Sequence, residues 1–228
     1  MKSRSIILML SVAAAAMFGL SSCNWGDDND YSKTIANAIV TVRTTEGGTM
    51  YLQVTEDDAY IPSNITSHPF NGKTVRAFAN IEKPTEDGRV YVNWLDSVLT
   101  KQPVADLGED NAKTYGNDPV DIVNHWSTVA EDGFLTLRFR TVWSGHVKHE
   151  VNLVTGSDPD DPYKVIFYHN AHGDTYGVVK DGVVAFDLSS LPPTGDKPVE
   201  LTLVWKSPMG EKSIKFDYRS HKDVIVES

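Results

Sequence analysis

Two histidine pairs are the first residues in this chain whose types and spacing could do chemistry. His146 and His149 lie three apart, as do His169 and His172, and Asp174 follows closely behind the second pair. Imidazole is the commonest metal ligand among side chains and a general base near neutral pH, so the pairs raise a zinc site or a proton relay. The flanking residues argue against a shared ion. His149 keeps step with Val147, Val151 and Leu153, an alternation that belongs to a strand. Strand residues three apart point to opposite faces. His149 is therefore expected inward as a hydrogen-bonded imidazole, and His146 outward with Lys148 and Glu150. His172-Gly173-Asp174 reads as a turn in which the aspartate bonds its own backbone. Neither a metal site nor a cofactor is predicted.

Asp158-Pro159-Asp160-Asp161-Pro162 concentrates carboxylates, but without the alternating ligands and central glycine of an EF-hand loop. A hairpin tip is the expected reading, with prolines guarding the strand ends. Among the tryptophans, Trp94 and Trp205 fall on apolar parities and are expected in the core. Trp126 and Trp143 sit beside polar residues instead, in Asn124-His125-Trp126-Ser127 and Trp143-Ser144-Gly145-His146. A tryptophan near polar groups can stack on a sugar face or anchor a protein partner. These two are the candidate binding residues, set against packing at the rim of a core. No nucleophile elbow, phosphate loop, metalloprotease helix or triad order is visible. No catalytic residue is assigned, and the chain reads as non-enzymatic.

Cys23 is the single cysteine. Ahead of it come Lys2 and Arg4, an apolar run from Ile6 to Gly19, and Leu20-Ser21-Ser22. A short basic start, a short apolar run and small residues before a cut describe a removed signal, here residues 1–22. Leu20-Ser21-Ser22-Cys23 resembles the lipobox of bacterial lipoproteins, which implies a diacylglyceryl thioether and an N-acyl chain such as palmitate on Cys23. Each buried methylene contributes about 0.8 kcal/mol, so two or three chains hold a domain at a membrane where one would not. Asn24-Trp25-Gly26-Asp27-Asp28-Asn29-Asp30 then forms an acidic tether, assigned to residues 23–34 together with the anchor. It resembles the export signals that carry Bacteroidota lipoproteins to the outer face of the outer membrane; the plainer reading is a solvated spacer. With Cys23 lipidated, no thiol remains for a disulfide, thiolate metal site or cysteine catalysis.

Past residue 22 the chain has 19 basic and 31 acidic residues. Such a balance favours solubility and opposes polyanion binding through the overall field. The elements that must position any site are strands. Met50, Leu52 and Val54, then Val75, Ala77, Ala79 and Ile81, then Val90, Val92 and Trp94 alternate with other residues. So do Leu135-Leu137-Phe139, Val165-Phe167, Val184-Phe186-Leu188, Leu201-Leu203-Trp205 and Ile214-Phe216-Tyr218. Turn signals punctuate them: Glu46-Gly47-Gly48, Glu86-Asp87-Gly88, Glu131-Asp132-Gly133, Lys180-Asp181-Gly182 and Pro208-Met209-Gly210. Lys101 to Pro119 is polar and loop-forming, which predicts a boundary.

This layout is similar to that of NigD-like lipoproteins of Bacteroidota. The resemblance rests on the signal and tether, on Arg89-Val90-Tyr91-Val92-Asn93-Trp94 with Leu99-Thr100-Lys101, and on Gly133-Phe134-Leu135-Thr136-Leu137-Arg138-Phe139 and His146-Val147-Lys148-His149-Glu150-Val151-Asn152-Leu153. It implies an all-β fold: a small OB-like barrel at 35–104, a linker at 105–117 and an antiparallel β-sandwich at 118–228. Only four barrel strands are visible where an OB barrel has five. OB barrels often bind single-stranded nucleic acid in a basic groove. Residues 35–104 hold six basic and eight acidic residues with no basic run, so nucleic acid is excluded as a partner. The resemblance also implies a surface binding or bacteriocin-immunity role. The expected partners are the membrane, through Cys23, and a protein or glycan at the cell surface, with a glycan-binding accessory lipoprotein as the alternative.

Overall fold

The computed structural model describes residues 31–222; the signal segment, Cys23 and the tether up to Asp30 lie outside the described residues. The first block contains β1 (Ala38–Thr44), β2 (Met50–Gln53), β3 (Ala59–Pro62), β4 (Val75–Ile81), β5 (Arg89–Val90) and β6 (Val92–Ser97). They form one sheet in the order β5-β3-β2-β1-β4-β6. β5 and β6 stand at opposite edges, yet they are one stretch of chain interrupted only at Tyr91. A single bent strand thus joins both edges of a curled sheet, giving the five strands of an OB-like barrel. The strands that the sequence reading does not name are β1, whose Ala38-Ile39-Val40 is a continuous apolar run, and β3, Ala59-Tyr60-Ile61-Pro62; neither opens on an apolar alternation to betray it. Val40, Val42, Leu52, Ala77, Ala79, Val90 and Val92 fill the interior.

Trp94 departs from its expected core position. The pairing of β4 with β6 slips between Asn80, opposite Trp94, and Ile81, opposite Val92. One extra residue, Asn93, breaks the alternation and turns the indole out of the core. Trp94 is half-buried, and its Nε1–H donates to the Lys33 carbonyl at 2.7 Å. Asn80 Nδ2 donates to the carbonyls of Ser32 and Ile35. The end of the expected tether, Tyr31–Thr34, is accordingly a 3-10 turn.

The second block begins earlier in the chain than its composition suggests. β7 (Leu99–Lys101) and β8 (Val104–Ala105) already belong to its sheets. After the short helix α1 (Asn111–Tyr115) come β9 (Asp121–Ile122), β10 (Val129–Glu131), β11 (Phe134–Trp143), β12 (Glu150–Thr155), β13 (Lys164–Asn170), β14 (Val178–Asp187), β15 (Val199–Ser207) and β16 (Gly210–Tyr218). One sheet runs β10-β11-β14-β7 with β9 beside β11, and the other runs β16-β15-β13-β12-β8. The consecutive hairpins are antiparallel, whereas β13 with β15, β14 with β7 and β12 with β8 pair in parallel. Leu135, Leu137, Phe139, Leu153, Val165, Phe167, Val184, Phe186, Leu201 and Leu203 interdigitate between the sheets.

Lys180-Asp181-Gly182, a turn by composition, lies inside β14. Gly182 pairs with Phe139, and a Cβ there would meet the Phe139 ring at 2.6 Å, so the glycine makes room for a core aromatic. Asp181 is held by Arg138 and Arg140 of β11, whose guanidiniums lower its pKa to about 2.

The blocks meet at Phe78, Val98, Phe134, Val183 and Ala185. An ionic network surrounds this contact. Arg76, fully buried on β4, bonds Thr41 Oγ1 and Glu131, while Arg43 pairs with Asp132, which also meets His221 Nδ1 at 2.7 Å. Both guanidiniums stand over the Phe134 ring, at 5.7 and 5.9 Å.

Candidate functional site

The histidines that the sequence paired do not pair in space; one from each couple does. β12 and β13 are antiparallel with Val151 opposite His169, which puts His149, two residues before Val151, diagonally beside His169 on the inward face. His149 Nδ1 lies 3.0 Å from His169 Nε2, and His149 Nε2 lies 3.1 Å from Asp174 Oδ2. Asp174 does not bond its own backbone as expected. It accepts from the Ser144 N–H at 2.9 Å and the Ser144 hydroxyl at 3.0 Å. The Ser144 amide, its hydroxyl and His149 hold the carboxyl pKa below the usual range against the opposing effect of burial.

The protons of this chain of groups follow from its carboxylate end. Asp174 is ionised and can only accept, so His149 carries hydrogen on Nε2. Where His149 Nδ1 carries no hydrogen it accepts, and His169 donates from Nε2. His169 Nδ1 is buried and has no hydrogen-bond partner. Burial, and then the neighbouring His149, push the His169 pKa down to about 4, against the pull of Asp118. The relay order is suggestive of catalysis, but its one hydroxyl, on Ser144, donates to the carboxylate and not to an imidazole. Its evident work is structural: it ties the turns at 144 and 174 to two strands. Among the described residues, no group of three or more His, Cys, Asp or Glu is placed to hold a metal ion.

His169 and Asp174 line a cavity of about 360 Å³ at this end of the sandwich, together with Asp118, Asp121, Arg140 and Val179. Its surroundings are apolar and open. Tyr176 is 75% exposed, Val178 58%, Val179 63%, and Met209, next to the lining Pro208, 90%. Gly177, between Tyr176 and Val178, has φ +134° and backs directly onto the Trp143 carbonyl, where any Cβ would collide. A second cavity of about 270 Å³ lies beside His149, walled by Trp143, Lys180 and Phe139.

The two candidate tryptophans have separate surroundings. Trp143 is half-buried, its Nε1–H donates to the Val147 carbonyl at 2.7 Å, and the Lys180 ammonium stands 4.8 Å over its ring. Trp126 is 49% exposed and rests edge-on against Phe78 at 5.8 Å, beside His125. The structure shows no contact between them. Sequence reasoning missed the His149–His169 contact, although a signal existed: His169 keeps the parity of Val165 and Phe167, so both imidazoles were due on the inward face of one hairpin. The exposed Tyr176, Val178 and Val179 carried no such signal, because an apolar run beside a strand looks like core.

A curled five-strand barrel followed by a two-sheet sandwich defines a two-block all-β protein. The NigD-like C-terminal beta sandwich domain matches residues 102–218, and the chain belongs to the NigD-like family. A crystal structure from Parabacteroides distasonis, named as a toxin related protein, is 32% identical with a TM-score of 0.69, covering 80% of this chain and 92% of that one. A NigD-like immunity protein from Bacteroides caccae is 19% identical with a TM-score of 0.55, covering 78% and 89%. A protein from Bacteroides fragilis named as a lipoprotein is 15% identical with a TM-score of 0.57, covering 81% and 98%. At those identities the last two share the fold alone. No curated protein sequence matches the chain.

Proposed function

We propose that this protein is a non-enzymatic lipoprotein of the outer membrane, held by acyl chains on Cys23 and exposed at the cell surface, where the end of its sandwich docks a protein partner in an immunity-type role. The observation that carries this reading is the exposed Val179 in the lining of the cavity at that end, with exposed Tyr176 and Met209 each next in sequence to a lining residue, Thr175 and Pro208. Exposed apolar groups gathered in one place mark interaction surfaces, whereas scattered ones carry no meaning. The anchor rests on Leu20-Ser21-Ser22-Cys23 and the role on membership of the NigD-like family, whose fold is shared by proteins named as an immunity protein and a lipoprotein. Lipid attachment adds to a weak interface by confining the protein to the layer where a membrane-bound partner lies.

The test is a protection assay. A strain lacking the chain is challenged with toxins secreted by competing strains, then complemented. Wild type restores survival, while Cys23→Ala loses both lipid labelling and protection, and protease shaving of intact cells removes the wild-type domain. Equal killing with and without the protein overturns the immunity role; resistance to shaving overturns surface exposure. The glycan reading draws on the 49% exposure of Trp126. It requires glycan binding that is lost in Trp126→Ala and Trp143→Ala.

A further inference from the structure

His68, in the loop between β3 and β4, has its protonation state fixed by the backbone. Its Nδ1 accepts from the N–H groups of Phe70 and Gly72, each at 3.1 Å. A nitrogen that accepts carries no hydrogen, so the ring is neutral with its proton on Nε2. That Nε2 is buried and has no partner. Folded proteins rarely leave a buried donor unpaired, and such a group asks for an explanation.

His68 lines a cavity of about 390 Å³ on the barrel. Its walls also hold Arg89, Ser63, Thr66 and Ser67. None of the lining residues is acidic, in a chain with 31 acidic against 21 basic residues. Arg89 has one carboxylate near it, Asp87 at 3.6 Å, in a pair that is 47% and 65% exposed. So exposed a pair is weak and readily exchanged. The loop that carries the donors is fixed in place. Ser63 donates to the Val90 carbonyl from its N–H and its hydroxyl, and Asn64 bonds both the carbonyl and the N–H of Val92.

A wall holding one guanidinium, the Thr66 and Ser67 hydroxyls and an imidazole N–H with no partner suits an oxyanion, since each of these groups can donate to it. The Ser63 hydroxyl, committed to the Val90 carbonyl, serves to fix the loop. The volume lies in the range of small-molecule sites. We propose that this cavity binds a small molecule bearing a carboxylate or phosphate, with Arg89 pairing the anion and His68 Nε2–H donating to it. This site is on the barrel and stands apart from the docking surface at the sandwich end.

The test uses the mature chain made soluble by Cys23→Ala, titrated by calorimetry with glucuronate, glucose 6-phosphate and glucose. An acidic sugar binds, glucose does not, and Arg89→Gln weakens binding by roughly tenfold or more. Binding of glucuronate alone assigns a carboxylate ligand; binding of glucose 6-phosphate alone assigns a phosphate. In parallel, the His68 Nε2–H resonance of the unsubstituted site shifts on saturation, a readout that does not depend on the variant folding. Glucose binding as tightly as the acids, no heat from either acid at millimolar concentration, or saturation without movement of that resonance overturns the proposal.

Discussion

His169 Nε2 meets His149 Nδ1 at 3.0 Å across β12 and β13, so the proton on one imidazole decides what the other can do. Buried beside a second imidazole, His169 resists protonation until about pH 4. In the unfolded chain it titrates near pH 6.5. Above that value both states leave it neutral and it contributes nothing to pH dependence. As the pH falls from 6.5 to about 4, the unfolded chain takes up a proton that the folded chain refuses, and folding stability declines. The expected loss is about 2 kcal/mol once partial solvent screening is allowed for. Urea midpoints measured through this window should fall more steeply in wild type than in His169→Phe. Parallel curves for the two proteins would rule out His169 as the titrating group.

Arg76 and Glu131 form the ion pair at the contact between the blocks, with the Arg76 side chain fully buried and Glu131 at 21% exposure. Burial lowers the guanidinium pKa and raises that of the carboxyl, each partner opposing the shift in the other. Removing one partner strands a charge, which typically costs about 3–5 kcal/mol, whereas replacing both by apolar groups is often close to neutral. Glu131→Leu should therefore lower the urea midpoint sharply, and Arg76→Met with Glu131→Leu should recover most of the loss. A double variant no more stable than the single one would mean that the charges themselves hold the blocks together.

Where residues alternate in face and stay in register, the fold could be read from the sequence. Leu135-Leu137-Phe139 and Val184-Phe186-Leu188 are strands whose apolar parity is the core itself. Errors arose where one residue changed the count or the role. Asn93 breaks the alternation and turns Trp94 outward; Gly182 fills a strand to admit Phe139, so Asp181-Gly182 looked like a turn. β7 and β8 escaped because parallel pairing joins residues too distant in sequence to leave a local pattern. The site was half legible. Parity put His149 inward, but the bond from Asp174 to Ser144 depends on two turns meeting, which no periodicity encodes.

Gly177 and Gly48 both have positive φ, at +134° and +87°, yet only one is crowded. A Cβ on Gly177 meets the Trp143 carbonyl, while nothing lies within 4 Å of one on Gly48. Gly48→Ala should cost about 1 kcal/mol, from backbone conformation alone. Gly177→Ala adds a collision to a conformation that already favours glycine, and a loss of about 2–3 kcal/mol is expected. Thermal unfolding of the two variants side by side checks the difference. Equal melting temperatures would show that the 174–178 segment can move away from β11.

Val179 and Met209 are exposed at 63% and 90%, so their side chains gain little from the fold. Exchanging both for lysine should change folding stability by no more than about 0.5 kcal/mol, the usual range for surface positions. It should nevertheless place two ammonium groups where the proposed partner would bury apolar surface. A buried unpaired charge is far more damaging to an interface than to an exposed face. Val179→Lys with Met209→Lys should therefore keep the wild-type urea midpoint and cell-surface abundance while losing protection in the challenge assay. Full protection by this double variant at normal abundance would move the docking surface elsewhere on the molecule. Lost protection with a lowered midpoint would trace the defect to folding, and Tyr176→Ser, which adds no charge, would then be the variant that separates the two.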